Sequence, residues 1–319
     1  MNWLTDKFQR IKPKIKNLFR VKIGPEGNLW ENCSCGAVLY KQDLKENLYV
    51  CNKCNKHHHI EPKERFQIFF DDGQYQEISP MLPAIDDPLL FQDSKSYSAR
   101  LKEAREKTGQ HDTVVLATGK VNNIYLVAAA MNFKFMGGSI GRAAGEAIVA
   151  GAEFAFANKL AYIIFFQSGG MRMFEGALSL SQMPRMVAAI NSLKQSQLPF
   201  ISICLDPTYG GTTASIAMLG DVNIAEKDAR IGFSGKDIIK NTIRTELPSE
   251  FQTASYIWEK GQLDIVAERK DLRKIVSTLI SQLTNKNKTF LSDSKIIDDQ
   301  QQSPLGSIGN IDPISKVTS

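Results

Sequence analysis

The chain has 319 residues, of which 43% are apolar, and carries a net charge of +5 from 39 basic and 34 acidic side chains. That length holds one large domain, alone or with a small satellite, and the apolar share is ordinary for a soluble globular protein. No apolar run reaches the roughly 20 residues that a membrane-spanning helix needs, so no membrane role is expected.

Residues 1–28 form a basic leader. It carries Lys7, Arg10, Lys12, Lys14, Lys16, Arg20 and Lys22, against Asp6 alone before Glu26. Such a cluster suits nucleic acid or an acidic partner, though a solvated basic arm is the commoner case. The leader lacks the apolar stretch of a secretion signal and is poor in the Ser and Arg of an organelle-targeting peptide. The expected compartment is the cytoplasm, with a plastid stroma left open.

Residues 29–60 contain Cys33-x-Cys35, a gap of 15 residues, and Cys51-x2-Cys54. Clustered cysteines in a reducing compartment point to metal rather than disulfides. A zinc ribbon has Cys-x2-Cys in both halves; here the second half fits and the first is one residue short. His57, His58 and His59 follow and offer a substitute nitrogen. The expected site is a structural Zn2+ held by Cys35, Cys51 and Cys54 with either Cys33 or a histidine. A ribbon that keeps its shape without metal is the alternative. Cys204 stands alone in the apolar run ISICL and reads as a small core residue.

Residues 61–110 are mixed, with turn signals at Asp71-Asp72-Gly73 and Asp86-Asp87-Pro88, and end in the charged helical stretch YSARLKEAREKTG. From residue 113 strands and helices alternate. VVLATGKV and IYLVAAAMNF read as a strand pair joined by Asn122-Asn123. The glycine-rich loop MGGSIG (136–141) leads into a helix to about residue 157. There follow strand 160–166, helix 172–195, strand 198–205, helix 213–219, strands near 221–233, helices near 236–260, strand 263–267 and helix 270–284. This alternation gives the α/β class. Residues 285–319 are polar and read as a disordered tail.

Two glycine pairs dominate the chemistry. Ser168-Gly169-Gly170 follows the apolar run LAYIIFF, and Tyr209-Gly210-Gly211-Thr212-Thr213 follows LPFISICL. Each pair turns a strand into a helical segment. Two bare-backbone turns can aim N–H groups at one point, which in a dry site makes an oxyanion hole. A single Gly-Gly is ordinary turn punctuation; two in successive units, one followed by Arg172, favour function. Other devices are missing. Ser168 sits in FFQSGG rather than Gly-x-Ser-x-Gly, and would have to recruit His111 as its base. There is no phosphate-binding Gly-x4-Gly-Lys-Ser/Thr loop, and GGSIG (137–141) is no dinucleotide fingerprint. The chain is rich in backbone electrostatics and poor in bases, which suits a substrate or cofactor that brings its own base.

These residues resemble the β subunit of the bacterial and plastid acetyl-CoA carboxylase carboxyltransferase, from about residue 29 to 284. The resemblance rests on CGAVLY (35–40), Phe91-x-Asp93-Ser94-Lys95-x-Tyr97-x2-Arg100-Leu101, FMGGSIG (135–141) and SGGMRM (168–173). It continues through LSQM (180–183), DPTYGGTTASIAMLGDVNIAE (206–226), IGFSG (231–235) and EKGQLDIV (259–266). It implies a crotonase-like ββα spiral over 61–284 behind a small N-terminal zinc ribbon over 29–60. It implies a carboxyltransferase α subunit as partner, in an α2β2 assembly with the active site between subunits. A biotin carboxyl carrier protein and a biotin carboxylase complete the larger complex. The implied reaction moves the carboxyl group of carboxybiotin to acetyl-CoA, giving malonyl-CoA for fatty acid synthesis. In the usual account of that family carboxybiotin releases CO2, the biotin anion takes a proton from acetyl-CoA, and the enolate attacks CO2. The enolate oxygen is then expected on the N–H groups of Gly169, Gly170, Gly210 and Gly211. Gly137, Gly138 and Ser139 are expected along the CoA or, equally, packed at the start of the next helix. Arg172 is expected on a phosphate or carboxylate, or paired within an interface. Metal ligands are expected at Cys33, Cys35, Cys51 and Cys54.

Three positions depart from the family pattern. Its first zinc cysteine falls on Asn32, with Cys33 one place late; its small residue after SGG is Met171; and its usual Gln before Glu175 is Phe174. Three competing functions follow. An acyl-CoA hydratase or isomerase would need Glu175 as acid or base. A nucleic-acid-binding ribbon protein would show salt-dependent binding. A carboxyltransferase for propionyl-CoA differs by one methylene, a small discrimination.

Overall fold

The computed structural model describes residues 29–284. The basic leader (1–28) and the polar tail (285–319) lie outside the described residues. Strands β1 (Trp30–Asn32) and β2 (Val38–Tyr40) pair antiparallel, with Glu31 opposite Leu39, and helix α1 (Lys41–Glu46) follows. Cys33, Leu39, Leu44 and Cys51 form the small core of this ribbon. Helix α2 (Pro62–Phe69) begins where the sequence can begin one: Pro62 needs no N–H partner in the first turn, and Glu61 and Glu64 cap each other's backbone.

The body is a seven-stranded sheet whose strands lie in chain order. They are β3 (Tyr75–Ile78), β4 (Val114–Val121), β5 (Ile124–Met131), β6 (Ala161–Ser168), β7 (Phe200–Thr208), β8 (Val222–Glu226) and β9 (Ile265–Ala267). β3, β4 and β5 are antiparallel; from β5 onward every pair is parallel. The expected hairpin forms at Asn122 and Asn123, with φ of 48° and 64°. A two-residue turn of that hand needs positive φ at both positions, which asparagine tolerates. Every residue of β6 is buried, which accounts for the unbroken apolar run in its sequence.

Helices cover both faces: α3 (Tyr97–Thr108), α4 (Arg142–Asn158), α5 (Gly176–Leu180), α6 (Gln182–Gln195), α7 (Lys236–Ile243), α8 (Ala254–Glu259) and α9 (Leu272–Leu283). Ile148 of α4 and Met186 and Ile190 of α6 share one core with Tyr162, Ile164 and Phe166. Phe66 and Phe69 of α2 and Val276 of α9 share the other with Ile163, Phe165 and Ile203. The alternation along β6 sends successive side chains into opposite layers. The single helix expected over 172–195 is broken into a turn at Met173–Glu175, then α5, then α6. Pro184 explains the restart: it fits the first turn of α6 but would break a continuous helix. The strands expected near 221–233 reduce to β8 and single bridges. Bridges pair Ile140 with Met171 and Thr208 with Ile231, where a winding ββα arrangement would put its short second strands.

Three loops meet at the carboxyl ends of the parallel strands. The Gly169 N–H donates to the Gly137 carbonyl (2.9 Å), Ile140 N–H to Gly170 (2.9 Å) and Tyr209 N–H to Ser168 (2.8 Å). A Cβ added to Gly210 would lie 3.0 Å from the Gly170 Cα, so the two turns touch backbone to backbone. At Gly138 (φ +66°) a Cβ would fall 2.0 Å from the Gln167 carbonyl oxygen. At Gly137 (φ +67°) it would meet nothing within 4 Å. Gly137→Ala is therefore expected to cost only its backbone strain, about 1 kcal/mol. Gly138→Ala must also move backbone and is expected to cost at least about 2 kcal/mol more. Thermal unfolding of the two variants checks this; equal melting temperatures would show that the loops do not meet as described.

Candidate active site

The junction of the glycine loops is the candidate site, and its hydrogen bonding corrects the expected donor set. Three of the four glycine N–H groups are already engaged. Gly169 donates to Gly137, Gly170 donates to Ser168 Oγ (3.0 Å) and Gly210 donates to the Phe233 carbonyl (2.9 Å). The N–H groups of Gly211 and Met171 have no partner among the described residues. These two residues lie against each other: a Cβ on Gly211 would be 2.4 Å from Met171 Cγ. The engaged glycines position the turns, and the free donors come from the residues next to them. Sequence spacing could not separate the two roles, because both need glycine nearby.

Ser168 is no nucleophile. It is fully buried, and its Oγ accepts from the Gly170 N–H and from the Thr212 hydroxyl (2.8 Å). His111, its only candidate base, is exposed, and its carbonyl accepts from Arg105. Glu175 is also spent. It is buried, takes the Tyr97 hydroxyl (2.6 Å) on one oxygen and the Arg142 N–H (2.7 Å) on the other, and so caps the start of α4. A hydratase reading loses its acid–base residue.

Arg172 is a second correction. It is 1% exposed and faces inward. It donates to both oxygens of Asp112 (2.6 and 2.8 Å), to Tyr97, Thr113 and both oxygens of Ser139. Burial alone would weaken its charge, but Asp112 outweighs this and raises its pKa. No donor remains for a phosphate. Ser139 and Gly138, expected along the CoA, serve this internal network and the loop junction; Gly137 keeps open space above it. Asp112 and Thr113 carried no signal in the sequence. Tyr97 belongs to the Phe91–Leu101 pattern, whose spacing gives it no role.

Met171 is half-buried on Gly211, near Met183. Phe174 faces an aromatic cluster. It stacks on Tyr97 (5.6 Å between centroids), meets Phe91 at 5.5 Å and lies under the Arg100 guanidinium.

In the ribbon the sulfurs of Cys33, Cys35, Cys51 and Cys54 all lie within 4.8 Å of one another. Cys33 and Cys54 are 3.6 Å apart, Cys35 and Cys51 3.9 Å. Four sulfurs around a tetrahedral Zn2+ at about 2.3 Å stand about 3.8 Å apart, so the cluster fits that ion. The late position of Cys33 does not remove it from the set. The histidines are used elsewhere. His57 is clamped between Glu226 (2.9 Å) and Glu268 (3.1 Å), and His58 bonds Glu31 (2.9 Å). Arg269 donates to the carbonyls of Leu48, Tyr49 and His58, and to Glu226, which also binds Arg65. This buried cluster mounts the ribbon on the end of β8. Burial would raise the Glu226 carboxyl, but Arg65, Arg269 and His57 hold it well below its ordinary 4.5.

Comparison with known proteins agrees with this architecture. Residues 81–315 match the Carboxyl transferase domain family. The acetyl-coenzyme A carboxylase carboxyl transferase subunit β of Pelagibacter ubique is 44% identical over 295 residues, covering 92% of this chain and 94% of the relative. That of Liberibacter asiaticus is 46% identical over 286 residues, covering 89% and 99%. Among solved structures, transcarboxylase 12S superposes with a TM-score of 0.55 at 24% identity, over 69% of this chain and 40% of that one. The Pseudomonas malonate decarboxylase MdcD-MdcE hetero-dimer gives 0.53 at 20% identity, over 70% and 86%. Both likenesses establish the crotonase-like carboxyl transferase fold.

Glu226→Gln leaves Arg65 and Arg269 buried without their counter-charge, and is expected to cost about 3 kcal/mol or more at pH 7. The carboxyl pKa is depressed in the fold, so its stabilisation is full above 4.5 and lost as pH falls through the folded value. Urea unfolding should show the gap between wild type and variant narrowing below that pH. A gap independent of pH would mean that Glu226 is not ionised in the mount.

Proposed function

The chain belongs to the carboxyl transferase family, as an acetyl-coenzyme A carboxylase carboxyl transferase subunit β, and from that premise we propose how its own residues carry out the transfer. The reaction carboxylates acetyl-CoA to malonyl-CoA, the entry to fatty acid synthesis. Carboxybiotin on the carrier protein supplies the carboxyl group and, once that has left, the base. The chain's part is to hold the acyl carbonyl while the methyl group loses its proton. The enolate oxygen sits on the N–H groups of Met171 and Gly211, on the two turns fixed by Gly169, Gly170 and Gly210. One oxyanion donor is worth about 3 kcal/mol of transition-state stabilisation. The CoA chain passes over Gly137, where the backbone is open. The observation that carries this reading is the pairing of unengaged backbone donors with buried, fully bonded Ser168 and Glu175.

The partner is the carboxyl transferase α subunit, in an α2β2 assembly that works with the biotin carboxyl carrier protein and biotin carboxylase. Its docking face on this chain includes Phe233, Ile238 and Ile243. They are 69%, 63% and 54% exposed, and the first bonds through its carbonyl to Gly210. An exposed aromatic side chain beside the reaction centre, followed by two exposed apolar residues on α7, marks a surface that a partner covers. The ribbon (29–60) holds one structural Zn2+ on Cys33, Cys35, Cys51 and Cys54, beside a catalytic body over 61–284. A reducing compartment such as the cytoplasm suits a thiolate metal site. Of the ribbon histidines, His57 mounts the ribbon on Glu226 and Glu268, and His58 bonds within it to Glu31.

Mixing this chain with the α subunit should give carboxyl transfer between biotin and acetyl-CoA that neither shows alone. Activity of this chain by itself would overturn the shared site. Gly210→Pro is a poor probe, because φ of +66° is closed to proline and the N–H is bonded internally. The donor test is Gly211→Pro in a Met171→Ala background, which clears space for the ring. Against Met171→Ala alone, kcat should fall about 100-fold with α-subunit binding kept; an unchanged kcat would move the oxyanion elsewhere. Metal analysis should find one zinc per chain, lost in Cys51→Ser. A zinc-free wild type with an intact ribbon would show that the cysteine cluster holds no ion.

A further inference from the structure

β6 and β7 lose their ladder just before the glycine turns. Phe166 pairs with Cys204, but the next pair is Ser168 with Thr208, so Gln167 faces three residues of β7 across a gap. Side chains fill it. The Gln167 amide nitrogen donates to the Asp206 carbonyl and to Nδ1 of His59, which the ribbon delivers to this spot. The other ring nitrogen of His59 faces the Asp206 carboxylate at 3.9 Å, and the ring packs on Phe133. His59 therefore touches both turn-bearing strands, one residue before Ser168 on β6 and three before Tyr209 on β7. Gln167 is also the residue whose carbonyl presses on Gly138.

The amide NH2 has two hydrogens and no lone pair to offer, so both of its partners must be acceptors. His59 Nδ1 is then unprotonated, and the proton sits on Nε2, toward Asp206. An imidazolium would present an N–H to the amide N–H and break the pin.

We propose that neutral His59 is a positioning residue for carboxyl transfer: by holding the Gln167 amide in the gap between β6 and β7, it keeps the two oxyanion-bearing turns at their working separation. The ribbon thereby acts on the reaction from outside the site, as a strut anchored by its cysteines and by the Glu226 cluster. The surroundings agree. The His59 side chain is 44% exposed, and partial desolvation against β6 and β7 lowers its pKa below its ordinary 6.5; Asp206 opposes this, and Arg230, Lys56 and Arg269 add to it. The folded state disfavours the imidazolium, so the pin is whole above pH 6.5 and is lost as pH falls through the folded value.

This inference rests on the carboxyl-transfer reading, and the test separates the two. The α–β assembly is made with wild type, His59→Ala and His59→Asn, whose amide oxygen can replace Nδ1 as acceptor. Transfer to acetyl-CoA and amide hydrogen exchange over residues 167–171 and 208–212 are both measured. His59→Ala is expected to lower kcat about tenfold, the worth of one good hydrogen bond, with KM for acetyl-CoA within about twofold. Exchange in both turns should quicken. His59→Asn should recover most of kcat and lose the acidic limb of the wild-type pH profile, since an amide does not titrate. Wild-type kcat and exchange in His59→Ala would overturn the proposal. So would equal loss in both variants with zinc or α subunit released, which would make His59 merely structural. An inactive wild-type assembly would sink the carboxyl-transfer reading, while the exchange data would still decide whether His59 holds the turns.

Discussion

The contact on which the site depends is between two pieces of backbone. Gly170 and Gly210 end different strands, yet a methyl group on either would run into the other's Cα at 3.0 to 3.2 Å. Side chains cannot mediate an approach this close, so the turns are set by hydrogen bonds from main chain to main chain. Gly138 extends the contact to a third loop. Most glycine N–H groups are consumed in building this junction, and the free donors at Met171 and Gly211 result from it. A preorganised donor needs no reorganisation when charge develops, which is where such a site gains its catalytic power.

Around that junction the protein buries ions. Asp112 and Arg172 lie beneath the loops, and Glu226 with Arg65 and Arg269 lies beneath the ribbon. Buried pairs are weak contributors to net stability, because desolvation cancels much of their attraction. Their effect here is geometric. Arg172 has a fixed fork of donors and ties Tyr97 on α3, Asp112 before β4 and Ser139 in the loop to the segment after β6. An apolar cluster would tolerate sliding; this one does not.

The same economy ties up Ser168 and Glu175. Both could do proton chemistry, and both are locked into the scaffold. A reaction whose second substrate carries both the electrophile and the base needs a rigid cradle more than a reactive side chain. Beside that cradle Phe233, whose carbonyl accepts from Gly210, leaves a large apolar side chain 69% exposed.

The sequence by itself determined the α/β alternation, the Asn122-Asn123 hairpin, the ribbon cysteines and the two glycine turns. Each is a local matter: strand periodicity, positive φ, or ligand spacing along a short segment. It could not divide the glycines into those that brace and those that flank a donor, because that depends on whether an acceptor, the carbonyl of Gly137 or Phe233 or the hydroxyl of Ser168, arrives within about 3 Å. It could not place Arg172 either; a lone arginine after a glycine turn looks the same whether it meets a ligand or Asp112, 60 residues away in sequence. Nor could it say that His57 and His59 serve Glu226 and Gln167 rather than a metal. Those partners lie 169 and 108 residues distant, and only packing of the ribbon onto the sheet brings them together. Short-range chemistry is written in residue order; long-range pairing is decided by which buried polar groups tertiary packing leaves for each other.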